Sequence, residues 1–283
     1  MSFFKTVLLS CWLLGNSILY AQPTYTQYVD PFIGTGGHGH TFPGATLPFG
    51  MVQLSPDTRI DGSWDGCSGY HYSDSILYGF SHTHLSGTGV SDYGDILLLP
   101  MNNEPALDES TPTALFSHNF ENATPGYYAV TLLNDNINAE LTATLRTGIH
   151  RYTFNKTGLA YIYLDLNHRD KLVASNINIE NDSTIKVYRK SEGWAKEQIL
   201  YANIRFSKPF IQSKQLGNKK AVFVFSVSEK EGIMAKVALS AVDDDGAERN
   251  MILENPDWNF EHIKINAAKK WNEELSKIKV SSS

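Results

Sequence analysis

The chain is poor in cysteine, in basic charge and in long hydrophobic runs, and each shortage excludes something. Only two of its 283 residues are cysteine, Cys11 and Cys67. Loss of Cys11 with a cleaved leader would leave Cys67 alone, with no internal disulfide to form. A lone thiol is a nucleophile only beside an activating base at an exposed site, so Cys67 is read as a buried structural cysteine. Lysine and arginine total 24 against 30 acidic residues, a net charge of -6. The basic residues never run beyond pairs such as Lys219-Lys220 and Lys269-Lys270. A nucleic-acid partner calls for a basic patch, and none is present. No apolar stretch has the length of a membrane span. Gly-x-Ser-x-Gly, His-Glu-x-x-His and P-loop patterns are all missing. Carboxylates are numerous enough for a glycosidase pair, yet no pair stands out by context. There is no internal repeat and no low-complexity tract.

What remains is a chain able to fold. Hydrophobic residues make up 42% and charged residues 19%, enough for a full core and unlike a disordered composition. Lys5 followed by the apolar Val7 to Leu19 and by Leu-Tyr-Ala at 19–21 has the order of a secretory signal, with cleavage after Ala21. That makes residues 1–21 a signal peptide and the protein secreted or periplasmic. Leu8-Leu9-Ser10-Cys11 loosely resembles a lipobox, but Cys11 lies very early and Leu9 is bulky for that motif.

From Gly94 onward apolar and polar residues alternate with period two. The pattern predicts strands at Tyr127 to Leu132, Ala139 to Leu145, Ile149 to Phe154 and Ala160 to Leu166. Others follow at Asn176 to Glu180, Thr184 to Arg189, Ile199 to Phe206, Ala221 to Ser226 and Ala235 to Ser240. Short strands at regular spacing, separated by Asn, Asp, Gly, Lys and Ser, describe an all-β fold, a large antiparallel β-sandwich over 22–242. The region 243–283 changes character. A helix is expected over Asp245 to Glu254, and another starting at Asn255-Pro256 with asparagine as cap and proline in the first turn. Phe260, Ile263, Ala267, Trp271, Leu275 and Ile278 give the second helix one apolar face. That face packs either on its own domain or on a further one.

The densest information lies between Tyr28 and Pro100, where glycine, histidine and aromatics concentrate. Such a mixture suits the loop-built rim of a binding site. Trp64 sits in the polar turn Gly62-Ser63-Trp64-Asp65-Gly66, poorly placed for a core. Its face suits the apolar side of a sugar ring, and Asp65 can take hydroxyl hydrogen bonds; the rival role for Trp64 is a plug of its own loop. His38-Gly39-His40 and His82-Thr83-His84 each put two histidines two residues apart, on one face if the backbone is extended. Metal binding, ligand contact and structural hydrogen bonding are all open to them, and no third metal ligand is identifiable. Asp92 and Asp95 flank Gly94 and read as turn caps or ligand contacts.

Longer motifs in the same region resemble those of glycoside hydrolase family 92, secreted exo-acting α-mannosidases. The resemblance rests on Asp30-Pro31-Phe32-Ile33-Gly34-Thr35, Pro43-Gly44-Ala45 with Pro48-Phe49-Gly50, Gly69-Tyr70, Gly79 to Gly87 (GFSHTHLSG) and Gly94-Asp95, and later on Lys236 to Asn250 with Trp271-Asn272 and Leu275. It implies an N-terminal sandwich of the galactose-mutarotase type with linker helices at 243–283. An (α/α)6-barrel domain would follow, carrying the catalytic carboxylates and a calcium site. It implies a mannose-containing glycan as ligand and inverting hydrolysis by the intact enzyme, with neither catalytic residue nor metal ligand in this chain. By the same resemblance Trp64 stacks on the leaving sugar, and Gly37, His38, Asp65, His82 and His84 line the substrate pocket. The barrel has no counterpart here, so the chain is expected to be inactive alone. The rival readings are a standalone carbohydrate-binding protein and a different hydrolase whose carboxylates lie within this sequence.

Overall fold

The computed structural model describes residues 24–280. The signal-peptide and Cys11 readings fall outside them. Two large antiparallel sheets face each other. In one, seven strands run in the order Ala45–Thr46, Gln53–Asp57, Gly79–Ser81, Leu97–Met101, Gly158–Asp165, Lys220–Val227, Gln212–Leu216. In the other, eight strands run Lys171–Ile179, Thr184–Glu192, Gln198–Phe206, Glu231–Ser240, Thr147–Phe154, Ile137–Ala143, Tyr127–Leu132, Glu121–Thr124. One continuous core fills the space between them, including Leu54, Phe80, Tyr128, Tyr152, Ile204, Phe223 and Val237. This is the antiparallel sandwich that the periodicity predicts.

Burial follows the two-residue repeat where one face meets solvent. In Thr184–Glu192 the buried Ile185, Val187, Arg189 and Ser191 alternate along the strand from Lys186 onward with half-buried Lys186, Tyr188 and Lys190. Alternation is lost in Lys220–Val227, where all but Ser226 are buried. The reason is a cover on the second face. Lys220 Nζ bonds Asp108 O (3.0 Å) and Ser110 O (2.9 Å), and Leu107, Ala114 and Phe116 from the same crossing segment join the core. A strand enclosed on both faces reads as a continuous apolar run.

Two helices close the chain, α1 (Asp244–Glu254) and α2 (Phe260–Leu275). The expected start of the second helix at Asn255-Pro256 is incorrect. Asn255 is the C-cap of α1, its N–H bonding Met251 O, and Asn259 caps α2 by accepting from His262 N. Pro256 drives the residue before it out of helical geometry, so it ends one helix instead of opening the next. Lys236 Nζ reinforces the break by taking Asn255 O at 2.8 Å. The apolar face of α2 also stops short, because Ile278 lies past the helix end and is 81% exposed.

The rest of that face packs on its own domain. Phe260 and Ile263 bury against Tyr127 and Ile149 of the eight-stranded sheet, each worth about 2–3 kcal/mol when fully removed from water. Arg151 lies over the Phe260 ring (4.2 Å) and Lys264 over Tyr127 (3.6 Å). Trp271 Nε1 donates to Thr46 O at 2.6 Å, which ties α2 to the first strand of the opposite sheet.

Candidate functional site

The glycine-rich stretch folds as loops whose first anchor is a buried carboxylate, Asp57, at the end of strand Gln53–Asp57. Asp57 is fully buried. Its Oδ1 meets His84 Nε2 at 2.9 Å, and its Oδ2 meets His168 Nε2 at 2.8 Å and Ser81 Oγ at 2.5 Å. Arg169 Nη1 stands 3.8 Å away. Burial alone would raise this carboxyl, but His84 and His168 outweigh it and hold Asp57 well below the usual carboxylate range. His84 also points Nδ1 at Gln53 O (2.7 Å). Both of its ring nitrogens therefore face acceptors.

Asp57 fixes the loop that follows it. Gly69, with φ +88, passes so close that a Cβ there would fall 2.0 Å from Asp57 Oδ1, so no side chain fits. Gly69 O in turn accepts from Thr58 N (2.7 Å) and Arg59 N (3.1 Å), closing the base of the loop. Arg169 Nη2 holds the far side through Cys67 O (2.9 Å) and Ser91 Oγ (2.6 Å). Trp64 is carried at the tip.

Trp64 is 58% exposed, so it is no plug of its own loop. Three neighbours set its indole. His40 meets it edge-on at 4.3 Å, His38 lies tilted at 5.2 Å, and a Cβ on Gly89 would stand 2.7 Å from Trp64 Nε1. His38 Nδ1 pairs with Asp65 Oδ1 at 2.6 Å, and that hydrogen bond lowers the Asp65 carboxyl. Gly37 turns the backbone ahead of His38 with φ +57, and its carbonyl lies 3.2 Å from His71 Nε2. Gly37, His38, Trp64 and Asp65 thus come together on one exposed rim, an aromatic face beside a carboxylate and an imidazole. His40 belongs with them: its Nε2 is buried without a partner, 3.9 Å from Asp65 Oδ1.

His82 and His84 are placed beneath the surface instead. His84 belongs to the Asp57 cluster. His82 Nδ1 faces Ile96 O (2.6 Å), and its Nε2 faces His150 Nε2 (2.9 Å), whose Nδ1 meets Tyr152 OH (2.7 Å). The acceptors set the proton order: Tyr152 donates to His150, His150 to His82, and His82 to the Ile96 carbonyl. Burial pushes His82 down to about 4 and lowers His150 strongly as well. The two histidines therefore address different partners and do not converge on a shared point. Among the described residues no group of three or more His, Cys, Asp or Glu is arranged to hold a metal ion. Calcium prefers six or more oxygen ligands, and among the described residues no cluster of three or more acidic side chains is gathered to begin such a shell.

Asp92 and Asp95 are buried as well. Asp95 takes an ion pair from Arg189 and hydrogen bonds from Gln198 and Thr83. Asp92 accepts from Tyr93 N (3.2 Å) and Ala195 N (2.9 Å), and its neighbour Asp170 is pushed up to about 7 by burial and by Asp92 itself. Asp92 accepts backbone N–H groups as a cap does, whereas the Asp95 carboxylate is held by side chains alone; sequence reading also misses His168, Arg169 and Arg189. His168 and Arg169 arrive from the bend after Gly158–Asp165, and Arg189 from the strand Thr184–Glu192. The run Asn-His-Arg-Asp at 167–170, just after an apolar strand, is the one local hint of the first two.

Residues 28–240 match the model of the glycosyl hydrolase family 92 N-terminal domain. The chain belongs to this family. A GH92 α-mannosidase of Bacteroides thetaiotaomicron shares 34% of its residues and superposes with a TM-score of 0.84, over 92% of this chain and 39% of that one. A GH92 inverting mannosidase of the same species, 26% identical, superposes at 0.80 over 92% of this chain and 38% of that one. An uncharacterized secreted glycosidase of Arthroderma benhamiae is 27% identical over 303 residues, 90% of this chain and 38% of its own length. This GH92 chain thus spans well under half the length of the relatives it matches.

Proposed function

We propose that this chain is the sugar-contacting sandwich half of a secreted, calcium-dependent exo-α-mannosidase, acting with inversion on mannose-containing glycans and inactive by itself. The observation that carries this reading is the exposed Trp64 face bracketed by His38 and Asp65 on a rim built from a buried scaffold. A sugar ring offers apolar C–H groups to the indole and hydroxyls to the carboxylate. The likeness to a GH92 α-mannosidase supports mannose as that sugar. Water activation and leaving-group protonation need a positioned acid and base, which the reading assigns to an (α/α)6-barrel domain together with the calcium. This chain's share is to hold the sugar and wall the pocket.

The test is hydrolysis of an aryl α-mannoside by the purified chain with calcium added. No turnover above a buffer blank is expected, alongside quenching of tryptophan fluorescence by methyl α-mannoside. Turnover abolished by replacing a carboxylate of this chain would overturn the reading in favour of an internal glycosidase pair. A second reading, a standalone carbohydrate-binding protein, is favoured by one fact: Gly37, His38, Trp64 and Asp65 assemble without help from another domain. A barrel-encoding frame in the adjacent DNA separates the two.

A further inference from the structure

A second exposed aromatic lies close to the rim and takes no part in it. Tyr72 is 43% exposed, yet it is held rigidly. It stacks flat on His118, with ring centroids 4.0 Å apart and planes 8° from parallel. His118 Nδ1 pairs at 2.6 Å with Glu121 Oε2, and Glu121 also accepts from Tyr70 OH (3.0 Å) and Tyr128 OH (2.6 Å). The platform is thereby tied to the eight-stranded sheet. Phe32 meets Tyr72 edge-to-face at 5.8 Å. With the exposed Asp30 and Ile33, and with Gly36, they line a shallow depression of about 380 Å³. Asp30 Oδ1 accepts from Phe32 N (2.9 Å), which orients the carboxylate at the edge.

The depression adjoins the rim through the backbone. Gly36 lines it, and His38, which touches Trp64, is two residues on, a step of at most about 7 Å. His71, beside Tyr72, meets the carbonyl of the intervening Gly37. Flat apolar rings next to a carboxylate, with no lysine or arginine in the lining, suit a neutral polyhydroxyl ligand and disfavour an anion. We propose that this depression is a second sugar subsite, which takes the next pyranose of a glycan whose first ring lies on Trp64. The proposal rests on the sugar-contacting role of the rim.

The experiment is an amide and indole NMR titration of the chain with methyl α-mannoside and with an α-linked mannobiose, repeated on Tyr72→Ala, Asp30→Asn and Trp64→Ala. Mannobiose should bind about three- to tenfold more tightly than the monosaccharide, the order expected from desolvating one apolar sugar face. It should shift signals at both Trp64 and Tyr72. Tyr72→Ala should erase that gain and leave monosaccharide binding at Trp64 unchanged, and Asp30→Asn should reduce it. Equal affinity for the two sugars, with shifts at Trp64 alone, overturns the second subsite and leaves the rim intact. Shifts at Tyr72 with Trp64 silent would overturn the rim reading instead, and no shift at either place overturns both.

Discussion

Asp57 and Asp65 stand eight positions apart in one loop-rich segment and do opposite work. Asp57 is sealed in the interior, where two histidines and a serine use both of its oxygens. Asp65 lies at the surface with one histidine on one oxygen. The histidines divide in the same way: His82 and His84 are buried and paired, while His38 stands in solvent. Residue type does not separate the two sets; burial does. Inside, a charge must find partners or neutralise, so it organises the backbone around it. Outside, the same group keeps spare hydrogen-bonding capacity for a ligand. The rim stands on a cluster in which both oxygens of Asp57 are already engaged.

The largest effect should come from breaking that cluster. Asp57→Ala takes the shared acceptor away from the buried Ser81, His84 and His168, and a buried polar group left unpaired costs about 1–3 kcal/mol. The urea midpoint reports it. A loss below about 1 kcal/mol would show that the rim stands without its clamp.

Acid should come next. His82 is held at about 4 in the folded chain against an ordinary 6.5. Between those values the unfolded chain binds more protons, so stability is full above pH 6.5 and declines as the pH falls toward 4. At about 1.4 kcal/mol per unit, the loss is on the order of 3 kcal/mol, and His150 contributes with the same sign. Asp57 adds a further loss at lower pH: its folded value is depressed, so its contribution is present above about 3.9 and fades as pH drops through the folded value. Unfolding midpoints taken from pH 8 to 3 should show this decline, and His82→Gln should flatten its upper part.

On the rim the balance reverses. Trp64→Ala should move the unfolding midpoint by less than about 0.5 kcal/mol, as for other surface changes. It should weaken mannoside affinity by about 1–2 kcal/mol through lost stacking area, about tenfold. A collapsed midpoint with unchanged affinity per folded molecule would move Trp64 from the site to the scaffold. The smallest change is expected for His38→Ala. The fold should be untouched, and the Asp65 carboxyl should rise toward its ordinary value, read by carboxyl NMR titration.

Much of the sandwich was legible because its strands are half-buried and carry the two-residue repeat, as in Tyr127–Leu132. The strand Gln53–Asp57 was not, because Pro56 punctuates it and proline argues against a central strand. Asn255 misled for a related reason: an asparagine before a proline is locally both a helix stop and a helix start, and its N–H bond to Met251 O, with Asn259 as the cap of α2, shows which holds. Within the site, Trp64, Asp65 and His38 could be picked out from local polarity. The roles of His82 and His84 could not, since their fates depend on His150 and on the Asp57–His168 pair, which bridges 111 positions.

The most direct measurement is the Trp64 indole N–H resonance as methyl α-mannoside is added to the folded chain. A saturable shift there, with the signals of Tyr152, His82 and the rest of the buried network unmoved, is the predicted result. Binding that leaves the Trp64 indole unchanged, or that perturbs the buried network instead, would contradict the division between rim and clamp.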